Sequence, residues 1–359
     1  CRVDFDSFEI IPSYLTHDEI LFRKFERARY NANMWRYQIS ARSDVEAFES
    51  IPFPSAKNNQ ATADFVEFME RRDYPATFLT LGQINETGVQ PRIQRQFRHA
   101  LSRRFDGSLD RVNQEMGLTV KNWDQITVPE IEMFGRGNRQ GNNALERFER
   151  HEFRPGIALH EFWPIHVEGL FFTTLRVKNQ RDIAVLNKKL GTHYASFQEI
   201  PLARAHPSGT PLATVWEDYV RKEISQVFLR LKENGMGAYR AFIKNRNGTI
   251  QAYNQSHHAN LRSFDEIPLP EKCPEDDAGA RDWQAFIEKG DCLPHVEIDS
   301  LEFRFRDFLK RKYGTLEKLN AAHQRGYSSL ESVPLDLPAY DLHIMRQHPS
   351  IGEAILKPL

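Results

Sequence analysis

Apolar residues three and four positions apart recur along this chain in blocks, each broken by a glycine or polar turn. Phe305, Phe308, Leu309 and Tyr313 form one such block, a spacing that predicts an amphipathic helix. Gly314 stops it, since glycine takes the left-handed backbone conformation at little cost. Thr315 then caps a short helix burying Leu316 and Leu319, and Asn320 follows. The block closes on Ser329, Leu330, Glu331, Ser332, Val333 and Pro334, where proline disfavours helix in the residue before it.

The same order returns upstream. Tyr239, Phe242 and Ile243 lead to Gly248, Thr249 and Asn254, and then to Phe264 through Pro268. Phe172, Leu175, Ile183, Leu186 and Asn187 lead to Phe197 through Pro201, and Phe97, Leu101, Gly107, Val112 and Asn113 lead to Trp123 through Ile126. From each of Asn113, Asn187, Asn254 and Asn320, the next aromatic or leucine anchor (Trp123, Phe197, Phe264, Leu330) falls at one constant offset. A degenerate first copy runs from Phe22 and Phe25 to Pro52, with Gln38 in the asparagine position. Aromatic or apolar pairs at helical spacing stand before the four clear copies: Phe65 with Phe68, Leu145 with Phe148, Trp216 with Tyr219, and Trp283 with Phe286. Tyr340 and Ile344 open a further copy.

The expected fold is therefore mainly α: about five tandem helical repeats stacked into an elongated or curved array. The boundaries are a degenerate first repeat over 1–60, then repeats over 61–135, 136–210, 211–272 and 273–338, with the start of a truncated further repeat over 339–359. Within each copy the aromatic pair forms the first helix of its own repeat. The asparagine side chain ties down the loop behind it through backbone hydrogen bonds, rather than contacting a ligand.

Composition agrees with a packed protein: 40% of residues are hydrophobic and 27% charged. The 25 phenylalanines, against 6 methionines, assign much of the packing to aromatic rings. A net charge of −1 argues against a broad phosphate-binding surface, so no nucleic acid partner is expected. The densest basic patch, Arg92, Arg95, Arg98, Arg103 and Arg104, is interleaved with Ile93, Phe97 and Leu101 and reads as the solvated face of a helix. No apolar run reaches the roughly 18 residues that suggest a membrane span. The chain begins at Cys1 and reads as a piece of a longer protein, a lipoprotein start being the alternative. Cys273 and Cys292 either pair in an oxidising compartment or are two plain thiols.

Chemistry-bearing motifs are sparse. Asn85 and Glu86 end an apolar run from Phe78, as the acid/base glutamate of a retaining glycosidase would, but such enzymes need a second carboxylate nearby. A loop insertion in the second repeat is the preferred account of the segment. Neighbouring His257 and His258 cannot share a helix face as metal ligands, and His160, His166 and His323 lack supporting spacing. Glu275, Asp276 and Asp277 lack the alternating pattern of a calcium loop, and Gly135, Arg136 and Gly137 lack the lysine of a phosphate loop. No catalytic residue, cofactor site or metal site is assigned.

Tyr313, Gly314, Thr315 and Leu316 with Leu319 and Asn320 resemble a segment of family 42 β-galactosidases that follows their acid/base glutamate. The run from Trp283 to Pro338, and nearly as well that from Trp216 to Pro270, is similar to tandem repeats in extracytoplasmic insertions of bacterial binding-protein-dependent sugar transporter permeases. That resemblance implies an extracytoplasmic (periplasmic) place within a membrane protein whose spans lie outside this chain. It also implies a non-catalytic interaction module that docks a solute-binding protein or another transporter subunit. The alternative is a carbohydrate-binding or glycosidase-related protein, with Glu86 as acid/base and Trp35, Trp123 and Trp163 as stacking platforms for sugar faces. Trp123 holds the position of Phe197 and Phe264, which argues for burial.

Overall fold

The computed structural model of the chain describes residues 2–4, 9–11, 16–54, 59–82, 89–129 and 144–347. It is mainly helical, as the periodicity predicts. In chain order the elements begin with β1 (Arg2–Asp4), β2 (Glu9–Ile11), α1 (His17–Arg29), α2 (Met34–Ala41) and α3 (Asn59–Arg71). There follow β3 (Leu79–Thr80), α4 (Pro91–Arg104), α5 (Leu109–Met116), α6 (Ala144–Phe148), β4 (Trp163–Pro164), α7 (Val167–Lys178), α8 (Ile183–Leu190) and α9 (Ala213–Asp218). The chain continues through β5 (Leu229–Leu231), α10 (Met236–Asn247), α11 (Ile250–His257), α12 (Asp277–Lys289), β6 (Val296–Ile298), α13 (Leu301–Tyr313), α14 (Leu316–His323) and α15 (Leu337–Gln347). Among the described residues the strands pair two by two, antiparallel: β1 with β2, β3 with β4, and β5 with β6.

Each copy is built on a helical hairpin: α1–α2, α4–α5, α7–α8, α10–α11 and α13–α14. One local program produces all five. The turn between the two helices has positive φ at Ala32, Gly107, Arg181, Gly248 and Gly314. The first three copies extend that turn by one more positive-φ residue: Asn31, Asp106 and Gln180. Next comes an N-cap, respectively Asn33, Ser108, Asp182, Thr249 and Thr315, whose side-chain oxygen accepts a backbone N–H of the first turn. Every second helix is 8 residues long and ends on a left-handed residue: Arg42, Gly117, Gly191, His258 and Gln324.

The asparagines sit in like surroundings. Asn113 Nδ2–H donates to Val120 O at 2.9 Å, and Val120 N–H donates back to Oδ1 at 3.0 Å. Asn187 makes the same pair with Tyr194, Asn254 with Leu261, and Asn320 with Tyr327, all between 2.8 and 3.0 Å. Gln38 in the first copy donates to Val45 O at 2.8 Å, while Val45 N–H donates to Ser43 Oγ at 3.2 Å, so the degenerate copy keeps the donor half of the clamp. A second clamp runs from the first helix to the end of the copy. Arg23, Arg98, Arg240 and Arg306 donate Nε–H to the carbonyls of Ile51, Ile126, Ile267 and Val333 at 2.7–2.9 Å. In the third copy Phe172 stands in the arginine position and packs edge-on against Phe197.

The aromatic pairs behave differently from expectation. Trp283 and Phe286, on α12, are fully buried, and Phe286 meets Tyr239 and Phe242 of the preceding hairpin at ring distances of 5.3 and 5.5 Å. Tyr219, in the π turn that continues α9, meets Phe171 of α7 at 4.9 Å, and Phe148 of α6 meets Phe97 of α4 at 5.8 Å. In these three cases the aromatic pair covers the hairpin before it in sequence instead of opening its own copy. Burying such a ring contributes about 1.5–3 kcal/mol.

Two compact units emerge, one of residues 1–73 with 305–359 and one of residues 74–304. In the second unit each hairpin is covered by the helix that follows it in sequence. In the first unit the covers are exchanged. The α13–α14 hairpin receives α3, with Phe68 against Phe305 and Phe308 at 5.4 and 5.8 Å. The α1–α2 hairpin receives α15, through Asp341 against Arg29 and Tyr30. The two exchanged helices touch through Phe65 and Tyr340, whose rings are 5.2 Å apart and nearly perpendicular.

Candidate functional site

A basic residue near the end of each hairpin's first helix pairs with an acid on the covering helix or the turn that continues it. Arg29 meets Asp341 at 2.8 Å, Arg104 meets Glu152 at 3.3 Å, Arg246 meets Asp282 at 2.8 Å, and Lys312 meets Asp64 at 2.9 Å. In the third copy Lys178 Nζ lies 2.6 Å from both Asp218 and Glu223. Hydrogen bonds from Lys178 and Lys222 hold the Asp218 carboxyl below its usual range. Burial pulls the Lys178 ammonium down, but its two carboxylate partners outweigh that and raise it. Asp218 and Lys178 are thus both charged at neutral pH.

Behind this ion pair lies a cleft of about 480 Å³ between α7, α8 and α9. Leu186 and Leu190 of α8, Val215 and Tyr219 from the cover, and Phe171 of α7 form its apolar walls, with Lys178, Lys189, Asp218 and Glu223 at its edge. A second, smaller cleft of about 290 Å³ shares Phe171 and Pro211 with it and is backed by Trp216, whose Nε1–H is tied to Ala203 O at 2.8 Å. Thr174, Asn179 and Thr214 complete a mixed apolar and polar lining, and a volume of this size suits a ligand or an inserted side chain. Val177 and Val185, exposed at 61% and 38%, lie on the same two hairpin helices.

In the fourth and fifth copies a histidine and an aspartate meet across the joint. His257 stacks on Tyr253 with ring centroids 3.9 Å apart, and its Nε2 lies 3.2 Å from Asp282. His323 Nε2 lies 2.9 Å from Asp64, which also accepts from Tyr313 at 2.6 Å. These histidines serve the joints between helices. Among the described residues no three His, Cys, Asp or Glu side chains gather as a metal site. His166 lies 3.7 Å from Glu302, whose carboxylate accepts the Glu168 N–H at 2.8 Å and so caps the first turn of α7. His160 faces Glu161, which Arg92 holds.

The remaining sequence candidates take structural places. Asp276 caps α12 and Glu275 pairs with Arg150. In the basic helix α4, Ile93, Phe97 and Leu101 are buried, while Arg98 and Arg104 are committed to internal partners. Cys273 and Cys292 are separate thiols, the first facing Gln226 Oε1 at 2.9 Å and the second buried against Ile287 O at 3.3 Å. Trp163 is core and Trp123 half-buried, leaving Trp35, at 41% exposure, as the solvent-facing member of the proposed sugar platforms. Glu86 with Asn85, the Gly135–Gly137 segment and Cys1 lie outside the described residues. No described helix is long and apolar enough to cross a membrane.

The cleft went unread in the sequence because its signal is a departure between copies. Leu190 and Val215 stand where the fourth copy has His257 and Asp282. Compared with family models, curated proteins and solved structures, the chain has no match.

Proposed function

We propose that this chain is a non-catalytic interaction module that docks a protein partner, with the cleft of the third copy as the receiving surface. The observation that carries this reading is the open joint itself. The fourth and fifth copies place a histidine–aspartate pair between hairpin and cover, whereas the third has Leu190 and Val215 in those positions and a cleft of about 480 Å³ with Lys178, Lys189, Asp218 and Glu223 in its lining. Apolar walls supply burial, and the charged edge supplies orientation.

The setting of the proposal comes from the repeats. Their similarity to extracytoplasmic insertions of sugar transporter permeases supports a solute-binding protein, or another subunit of the uptake system, as the partner. Calorimetric titration with a solute-binding protein of a sugar uptake system from the same source tests it. Saturable binding is expected for the natural sequence, weakened about tenfold, or 1.4 kcal/mol, by Lys189→Glu at the exposed edge. Absence of binding at high micromolar concentration overturns the reading.

A further inference from the structure

Three places before the cation of each joint, the second to fifth copies carry Leu101, Leu175, Ile243 and Leu309, all buried. The first copy carries Glu26 there, fully buried on α1. Among the described residues no donor reaches either of its carboxyl oxygens. Burying a polar group without a partner is costly, and an aliphatic residue serves the same place in every other copy. Packing therefore does not account for the glutamate.

Its surroundings give it a use. Arg29, one turn further along α1, lies 2.8 Å from Asp341 of α15, and Tyr30 Oη–H donates to the same carboxylate at 2.9 Å. Glu26 faces both members of that ion pair. Tyr37 of α2, Tyr340 of α15 and Asp336 ahead of α15 complete the titratable groups around it, while Glu70 of α3 and Arg72 just beyond act on Tyr340. At the far end of α15, Arg346 meets Asp18 of α1 at 3.3 Å in the open. Arg29 is thus one cation facing two carboxyl groups, and it is already committed to Asp341.

We propose that Glu26 is the trigger of a latch: protonated, it lets α15 lie on the α1–α2 hairpin, and on giving its proton to water it drives α15 off. The device is separate from the docking reading, since the cleft of the third copy takes no part in it. With the proton on, the Asp341 carboxylate has Arg29 to itself. With the proton off, a second carboxylate is buried beside the first, without a donor, and repels it. Lifting α15 away brings Glu26 into water and separates the two acids, which relieves both costs. Burial, then the Asp341 carboxylate, holds the seated carboxyl above its ordinary range, whereas in the released state it titrates at about 4.3. Seating is therefore complete below that pH. It weakens as pH rises toward the seated value, by up to about tenfold per pH unit for one proton.

The test is amide hydrogen exchange on the full chain from about pH 5 to about pH 9, read as protection factors so that the intrinsic pH dependence of exchange drops out. The α15 amides are expected to lose at least about tenfold in protection across that range, while those of α10 and α13 keep theirs. Glu26→Gln keeps the shape without the charge, and Glu26→Leu installs the residue type of the other copies. In both, α15 protection is expected to stay level with pH, and should one variant not fold, the other decides. A level profile in the natural sequence overturns the latch. A loss shared equally by α10 and α13 overturns it too, because that marks general unfolding. A fall in α15 that persists in either folded variant takes the trigger away from Glu26.

Discussion

Asp64 and His323 are 259 positions apart in the chain and share a 2.9 Å hydrogen bond between α3 and α14. The same carboxylate accepts from Tyr313 at 2.6 Å and from Lys312 at 2.9 Å, and its side chain is buried. Gln60 donates to it as well, at 2.7 Å, so removing the carboxylate takes an acceptor from four polar groups. Asp64→Ala is expected to destabilise the first unit by about 3–5 kcal/mol, the cost of breaking a buried charged pair. Asp64→Asn keeps part of the hydrogen bonding and costs less, measured by urea denaturation.

The exchanged covers predict a particular pattern of coupling. Double-mutant cycles on Asp64 with Lys312, and on Arg29 with Asp341, are expected to give interaction energies of about 0.5–3 kcal/mol. The cycle pairing Arg29 with Asp64 is expected to be additive within about 0.5 kcal/mol. Coupling in that last pair, and not in the first two, would show that each hairpin keeps the cover next to it in sequence.

The loop clamps are expected to have similar weight in every copy. Replacement by alanine of Asn113, Asn187, Asn254 or Asn320 removes one donor and one acceptor from the same loop carbonyl and N–H. Each should cost about 1–3 kcal/mol, and Gln38→Ala no more than these. Thermal unfolding of the five variants checks this; a loss confined to one copy would contradict a shared local role.

Two buried acids give opposite pH dependences. At Asp64 burial pushes the carboxyl up, but hydrogen bonds from His323, Tyr313 and Lys312 outweigh it and hold it well below its ordinary value. Its contribution is therefore complete above about pH 4, the unfolded value, and is lost as pH falls below that. Asp64→Asn should flatten the acid limb of the stability curve.

Glu26 is fully buried on α1, facing Arg29 and Tyr30 of its own neighbourhood, Asp341 of α15 and Tyr37 of α2. Burial, then the Asp341 carboxylate, pushes its carboxyl well above the ordinary range. Its proton is favoured by folding, so stability is complete below about pH 4.3 and declines as pH rises toward the folded value. Glu26→Gln, neutral at every pH, should be more stable than the natural sequence at pH 8 and lose that advantage at pH 4. Melting temperatures at both pH values decide it.

Much of the local fold is legible without coordinates. Turn residue, N-cap, short helix, amide and closing anchor all act over a few residues, so Gly314, Thr315, Asn320 and Leu330 announce them directly. Gln38 shows how chemistry substitutes within that program: a longer amide reaches the same carbonyl geometry. The cation on the first helix recurs too, at Arg29, Arg104, Lys178, Arg246 and Lys312, and was available as a signal for the joints.

What the amino-acid order alone determined was the hairpin, because its turn, caps and clamps are contacts between near neighbours. Which cover helix lies on which hairpin was decided only in three dimensions. Phe65 with Asp64 and Tyr340 with Asp341 present the same kind of ring and carboxylate, so local pattern cannot rank their partners, and the packing of the first unit gives α3 to Phe305 and α15 to Arg29. The cleft is likewise a tertiary fact, since Leu190 and Val215 line one space only when α8 and α9 lie side by side.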